Sequence, residues 1–119
     1  MTDQAAVRAV LEEYVAACVA GSVDRLQAIS HPGALMSGYL AGNYLMGSME
    51  PFYAAVRSSP PPGAEYRAEI GPVDVAGAVA SASLRERAYL GLDFVDLFHL
   101  ARVDGRWLIV SKTFDSAQH

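Results

Sequence analysis

Asp96 is the polar residue whose neighbours in the sequence most favour chemistry. It lies in a segment, residues 92–103, whose apolar side chains alternate as they do in a β-strand. Side chains two residues apart lie on one face of a strand, so Asp96 shares its face with Phe94, Phe98 and Leu100. A carboxyl group among large apolar side chains loses its hydration, so we expect the pKa of Asp96 to rise. Such a neutral acid can donate a hydrogen bond to a developing oxyanion or move a proton.

Tyr14 is the second candidate for chemistry. Val7, Leu11, Tyr14 and Cys18 are spaced by four, three and four residues, which places them on one face of a helix. A phenol on this apolar face can donate a hydrogen bond to a ligand oxygen. Tyr14 and Asp96 are therefore the two candidate catalytic residues.

Both candidates also have structural explanations, which stay open. Asp96 can be partly solvated at a strand edge, or paired with Arg85 or Arg102. Tyr14 can belong to the core, with its hydroxyl bound to a backbone carbonyl.

Aromatic and methionine side chains cluster around a predicted hairpin and the helix that follows it. Such a set can line a pocket for an apolar ligand, although each member also suits packing of the helix on the sheet. With Tyr14 and Asp96, the predicted ligand-binding residues are Met36, Tyr39, Phe52, Tyr53, Phe94 and Phe98.

The sequence predicts neither a metal nor a cofactor. His31, His99 and His119 lie in separate segments without the spacing of metal ligands. His31 follows a predicted helix, where it can cap the last carbonyls or contact a ligand, and His99 alternates onto the strand face opposite Asp96. The single cysteine, Cys18, excludes an intramolecular disulfide and a cysteine-rich zinc site. No glycine-rich phosphate loop or nucleophile motif occurs.

Length and composition favour one domain, residues 1–119, with a sizeable core. Hydrophobic residues make up 52% of the chain, which excludes intrinsic disorder. The formal net charge of −4, without a basic cluster, disfavours nucleic-acid binding. No apolar run is long enough to span a membrane, and the N-terminus does not resemble a secretory signal. We therefore expect a cytoplasmic protein.

The order of predicted elements indicates an α+β fold. Helices come early and strands late, which argues against alternating βαβ units. Strict alternation in the last strand places Trp107 and Phe114 on opposite faces. The predicted helices span Asp3 to Gly21, Val23 to about Ser30, and Ser48 to Ser59. A strand, a turn at Gly42–Asn43 and a short strand fill residues 34–47, and four strands follow at residues 65–74, 78–90, 92–103 and 106–114.

Three stretches carry a resemblance to a known superfamily. EEYVAACVAGSVDRLQAI, followed by HPGALM, resembles the start of the nuclear transport factor 2-like superfamily, and VDLFHLARVDGRWLIVSKTF resembles its C-terminal hairpin. The ending and the His-Pro stretch are most similar to the putative lumazine-binding group, while SnoaL-like polyketide cyclases and ketosteroid isomerases are more distant. The resemblance implies a cone-shaped, curved mixed sheet around three helices, an apolar pocket, and a homodimer formed through the outer sheet face.

The same resemblance bears on the chemistry. Ketosteroid isomerases use a late-strand aspartate beside a tyrosine of the first helix, a pair that serves as a standard example of a neutral carboxylic acid in catalysis. Asp96 and Tyr14 match these positions. The carboxylate base of that family would fall near Gly38, in a stretch without Asp, Glu or His.

Three functions are therefore predicted as alternatives. The first is a binder of a flat, ring-containing small molecule. The second is a cofactor-independent isomerase, cyclase or dehydratase that moves protons on a carbonyl substrate. The third is a dimeric scaffold with a vestigial cavity.

Overall fold

The chain folds into three helices and a six-stranded sheet, described over all 119 residues of the computed structural model. This order confirms the predicted succession of elements. In chain order they are α1 (Asp3–Ala20), α2 (Val23–Ala28), β1 (Ser30–Leu40), β2 (Asn43–Ser48), α3 (Glu50–Ser58), β3 (Arg67–Ala76), β4 (Val79–Tyr89), β5 (Leu92–Val103) and β6 (Arg106–Gln118).

The sheet is mixed, as predicted, with strand order β2-β1-β6-β5-β4-β3. Strands β1 and β6 are parallel, and the other neighbouring strands are antiparallel. Helix α1 packs on β3, β4 and β6. We call the sheet face that α1 covers the inner face, and the opposite one the outer face.

Helix α1 is defined by caps at both ends. The amide of Ala5 donates a hydrogen bond of 3.1 Å to Oγ1 of Thr2, and Gly21 ends the helix with a φ of 64°. The predicted apolar stripe of Val7, Leu11, Tyr14 and Cys18 is buried. None of the three helices has the length and apolar character needed to cross a bilayer.

Bulges bend the sheet. In β3, Gly71 and Pro72 together oppose Ser83. In β4, Arg87 and Ala88 together oppose Asp93. An extra residue of this kind bends its strand and increases the local twist. The sheet therefore curves toward α1.

A third bulge changes which residues of β6 point inward. The register between β5 and β6 leaves Val110 unpaired. Because one extra residue reverses the alternation, Ile109 before the bulge and Lys112 after it are both buried. For the same reason Trp107 and Phe114 are both buried, which corrects the prediction of opposite faces.

Other differences from the predicted elements lie at their ends. The first hairpin turns at Ala41–Gly42, one residue earlier than predicted, because Leu40 pairs with Asn43. Ala41 and Gly42 have φ of 49° and 85°, as in the two-residue turns that match the twist of a hairpin. His31 lies within β1, where its Nδ1 accepts a hydrogen bond of 2.9 Å from the amide of Gly33. It therefore closes a local turn and does not cap α2.

Candidate functional site

A cavity of about 400 Å³ lies between α3 and the inner face of the sheet. Its wall is mainly apolar, and Glu86 and Lys112 are the two side chains on it that bear a carboxyl or an amino group. Pockets of this size and character are typical of small-molecule sites. The apolar lining includes Met36, Leu45, Phe52, Phe94 and Phe114.

Three of the predicted binding residues, Met36, Phe52 and Phe94, line this cavity. Tyr39 does not, contrary to its predicted place. It lies three residues after Met36 in β1, so its side chain is on the outer face, beside Tyr44 of β2.

The other predicted residues lie behind the wall. Tyr14 and Phe98 are buried and pack edge to face, with ring centroids 5.0 Å apart. Tyr53 is buried next to Phe52, at 6.0 Å between ring centroids. Asp96 is also buried, and none of these residues lines the cavity itself.

Asp96 lies in the middle of the inner face. In the register across five strands, Leu84, Asp96, Phe114, Gly38 and Leu45 form one row of facing residues. Asp96 is 0% exposed, and neither of its carboxyl oxygens has a hydrogen-bond partner. Burial raises the pKa of Asp96, which confirms the expected direction.

The arginines proposed as structural partners of Asp96 lie elsewhere. Arg102 pairs with Asp3 at 3.3 Å. Arg85 is exposed on the outer face, opposite Val95. An ion pair with an arginine therefore does not explain the burial of Asp96.

Glu86 is a neighbour of Asp96 that is not among the residues predicted from the sequence. It follows Leu84, the partner of Asp96, by two residues, so the two carboxyl side chains are diagonal neighbours on one face. Glu86 is 1% exposed, and the hydroxyl of Tyr66 donates a hydrogen bond of 2.6 Å to its Oε2.

Burial and the nearby carboxyl of Asp96 raise the pKa of Glu86 to about 8, although Tyr66 and Lys112 act in the opposite direction. Two carboxyl groups in contact inside a protein cannot both ionise without a large cost. Each side chain acts on the other: Glu86 lowers the pKa of Asp96, and Asp96 raises the pKa of Glu86, as expected when Glu86 holds the proton. We conclude that the pair holds at least one proton at neutral pH.

Lys112 completes a diagonal line across three strands. Phe114 of β6 is the partner of Asp96, and Lys112 precedes it by two residues. Lys112 and Glu86 are therefore diagonal neighbours of Asp96 on its two opposite sides. Lys112 is 4% exposed, and its Nζ donates a hydrogen bond of 2.8 Å to the hydroxyl of Tyr14. Nζ also lies 3.7 Å from the ring centroid of Phe52.

The sequence holds a signal for Glu86, but it does not fix the orientation of Lys112. Ala82, Leu84 and Glu86 alternate with Arg85 and Arg87, so a period of two already places Glu86 on the apolar face. Lys112 is the only lysine of the chain and lies close to Phe114, but the bulge at Val110 sets its direction.

The surroundings of Gly38 leave no space for the carboxylate base that ketosteroid isomerases would have near this position. A Cβ at this position would overlap the carbonyl oxygen of Phe114 and the ring of that residue. A carboxylate side chain therefore has no room where the resemblance would place it.

The other polar regions do not form an enclosed site. A hollow of about 600 Å³ has a rim of exposed charged residues, among them Arg67, Arg85 and Arg87. His99 is exposed on the outer face, where its Nδ1 lies 3.2 Å from Oγ of Ser111. No cluster of three or more His, Cys, Asp or Glu side chains is arranged to hold a metal ion.

Comparison with known proteins confirms the predicted resemblance. The model of a family described as putative lumazine-binding matches residues 2–115. A nuclear transport factor 2-like protein of unknown function from Methylobacillus flagellatus is 28% identical, with a TM-score of 0.88 over 97% of this chain and 92% of that chain. One from Silicibacter pomeroyi is also 28% identical, with a TM-score of 0.87 over 98% of this chain and 100% of that chain.

A ketosteroid isomerase-like protein from Erwinia carotovora atroseptica shares the fold at 16% identity, with a TM-score of 0.74 over 98% of each chain. No curated protein matches the chain.

The proton held by Glu86 predicts a pH dependence of stability. Its pKa is about 8 in the folded protein, against 4.5 for an exposed glutamate. Since the folded state binds this proton more tightly, the free energy of unfolding should fall as pH rises from about 5 to 8, by as much as about 1.4 kcal/mol per pH unit. Glu86→Gln should flatten this slope, as measured by urea unfolding at several pH values.

Gln keeps an acceptor for the hydroxyl of Tyr66, so the variant preserves this hydrogen bond. Glu69→Gln, at an exposed position opposite Arg85, is the matched control and should keep the slope of the wild type. Parallel profiles for the wild type and Glu86→Gln would contradict the proton on Glu86.

Proposed function

The chain belongs to the family described as putative lumazine-binding, and we propose that it binds a small, flat, ring-containing molecule in the cavity between α3 and the inner face. The observation that carries the proposal is an apolar cavity of about 400 Å³ with a carboxyl and an amino group on its wall. Apolar walls supply affinity, and a few polar groups fix the orientation of a ligand. Glu86 and Lys112 are suited to that second role.

Aromatic side chains on the wall favour a flat ligand. Phe52, Phe94 and Phe114 contribute rings from α3, β5 and β6. Aromatic side chains pack well against flat rings in offset or edge-to-face geometry. Met36, with its flexible thioether, fills irregular gaps around such a ring.

Proton transfer on a carbonyl compound is the second candidate function. It is favoured by the carboxyl pair, since Glu86 lies on the cavity wall and burial together with Asp96 raises its pKa to about 8. A general acid or base acts best when its pKa is close to the working pH. In this proposal Glu86 contacts the substrate, while the predicted pair takes positioning roles: Asp96 acts on Glu86, and Tyr14 holds Lys112.

We also propose that the chain forms a homodimer through the outer sheet face. Met46, Ser37, Thr113 and Leu97 form one row across four strands on that face. Leu97 is 56% exposed, and Leu35, Tyr39 and Tyr44 are further exposed apolar residues of this face. Four exposed apolar side chains on β1 and β2 are neighbours, and such a group is typical of an interface: Leu35, Tyr39, Tyr44 and Met46.

Filling the cavity should abolish ligand binding. Ala55 lines the cavity from α3, so Ala55→Phe places a ring in the space that a ligand would occupy. Lumazine, riboflavin and 2-naphthol form a first panel of flat ligands for thermal-shift measurements. A compound present at 100 times its Kd should stabilise the wild type by about 2.7 kcal/mol and Ala55→Phe hardly at all.

Ala54→Phe is the matched control because Ala54 is exposed on the same helix. It should bind like the wild type. Equal stabilisation of the wild type and Ala55→Phe would place the ligand elsewhere. No shift with any flat compound would favour the scaffold with a vestigial cavity.

Proton transfer can be tested with 2-tetralone, a flat bicyclic ketone with acidic hydrogens next to its carbonyl. Proton NMR in heavy water should show exchange of these hydrogens accelerated by about 100-fold or more, as expected for a positioned acid–base group. The rate should rise with pH up to about 8, where Glu86 loses its proton.

Glu86→Gln should abolish the acceleration, while Glu69→Gln should keep it. Exchange at the background rate in the wild type would rule out this activity for the ketone and leave the binding function standing.

The homodimer predicts a mass of twice 12.7 kDa in sedimentation at micromolar concentration. Leu97→Lys should produce monomers because it places a charge at an exposed apolar position of the outer face. Val19→Lys, at a 48% exposed position on α1, is the control and should remain dimeric. A monomeric wild type would contradict this interface.

A further inference from the structure

The only lysine of the chain is buried in its interior. Lys112 lies on the inner face of β6, with 4% of its side chain exposed, and lines the cavity. Lysine is almost never fully buried unless its charge is paired. The chain has nine lysine and arginine residues in total, and the other eight are arginines. The position of this one amine therefore needs a specific explanation.

The partners of Lys112 within the chain are few. Its one hydrogen bond goes to the hydroxyl of Tyr14, and it belongs to no ion pair. An ammonium group has three N–H donors, so two are left without an oxygen acceptor. The rings of Phe52, Tyr14 and Phe114, with centroids at 3.7, 5.5 and 5.5 Å, offer only their π-faces.

The neighbouring carboxyl does not replace the missing acceptor. Glu86 uses Oε2 as acceptor for Tyr66, and with a pKa of about 8 it is mainly in its acid form at pH 7. Asp96 lies behind the cavity wall and acts on Lys112 through its charge, but its oxygens form no hydrogen bond with the amine. The remaining N–H donors of Lys112 therefore lack an acceptor within the chain, and Lys112 lines a space that can hold one from outside it.

We propose that Lys112 binds an anionic oxygen of the ligand, so that the ligand class is a flat ring compound bearing a conjugated carboxylate. This inference rests on the proposed function, because it concerns the same cavity. The carboxylate of the ligand supplies the hydrogen-bond acceptors that the chain does not provide. The ring of the ligand then packs against Phe52 and Phe114, the aromatic neighbours of the ammonium.

Two probes of nearly equal size separate charge from shape. 2-Naphthoate carries the carboxylate, and 2-naphthamide is its neutral counterpart. Titration calorimetry at pH 7 should show that the wild type binds 2-naphthoate about 10- to 100-fold more tightly than 2-naphthamide, as expected for a hydrogen bond between charged groups. Lys112→Met, which keeps an unbranched apolar side chain of nearly the same length, should lose this preference and retain binding of 2-naphthamide.

Lys112→Arg is the conservative variant and should keep a preference for the carboxylate. Thermal unfolding of each variant checks that it is folded. Because the chain has one lysine, selective ¹³C-lysine labelling gives a single side-chain Cε signal in the wild type. That signal should shift on addition of 2-naphthoate and move much less with 2-naphthamide, a readout that needs no variant.

The outcomes separate this inference from the proposed function. Equal affinities of the wild type for both probes, or a carboxylate preference that persists in Lys112→Met, would overturn the role of Lys112 while binding in the cavity stands. Failure of both probes to bind the wild type would overturn the inference, and failure of the neutral flat ligands of the thermal-shift panel as well would overturn the proposed function.

Discussion

The interior of this protein depends on how three polar groups are accommodated among apolar side chains. Glu86, Asp96 and Lys112 form a diagonal line across β4, β5 and β6, and each is nearly fully buried. Isolated charges in such surroundings are very unfavourable, so the carboxyl groups retain a proton and the ammonium is held by a phenol and aromatic rings. The packing of α1 agrees with this arrangement, because its buried apolar stripe points Tyr14 at the sheet, where the hydroxyl meets Lys112.

The bulges make this line of polar groups possible. Without the extra residue at Val110, the alternation that buries Ile109 would turn Lys112 to the outer face. The bulge at Arg87 and Ala88 allows Glu86 and Tyr89 to be buried on the same side. The irregularities that curve the sheet are thus also what supplies the cavity wall with polar groups.

The sequence predicts part of this site and leaves the rest undetermined. The burial of Asp96 and its raised pKa follow from simple alternation with Phe94 and Phe98. The same rule applied to β4 would have found Glu86. The inward orientation of Lys112 could not be predicted in this way, because it depends on the bulge at Val110. A bulge is set by pairing between strands and has no clear local signature in the sequence.

A stable core does not require these charged groups. Replacing buried ionic groups by well-packed apolar side chains is often neutral, or stabilising by about 1–4 kcal/mol. Leu and Met would fill the positions of Glu86 and Lys112 without the cost of removing charged groups from water. The two groups lie on the wall of the cavity, where a ligand can reach them, while Asp96 and Tyr14 support them from behind. Since their burial disfavours the folded state and their position favours contact with a ligand, binding is the explanation that accounts for both facts.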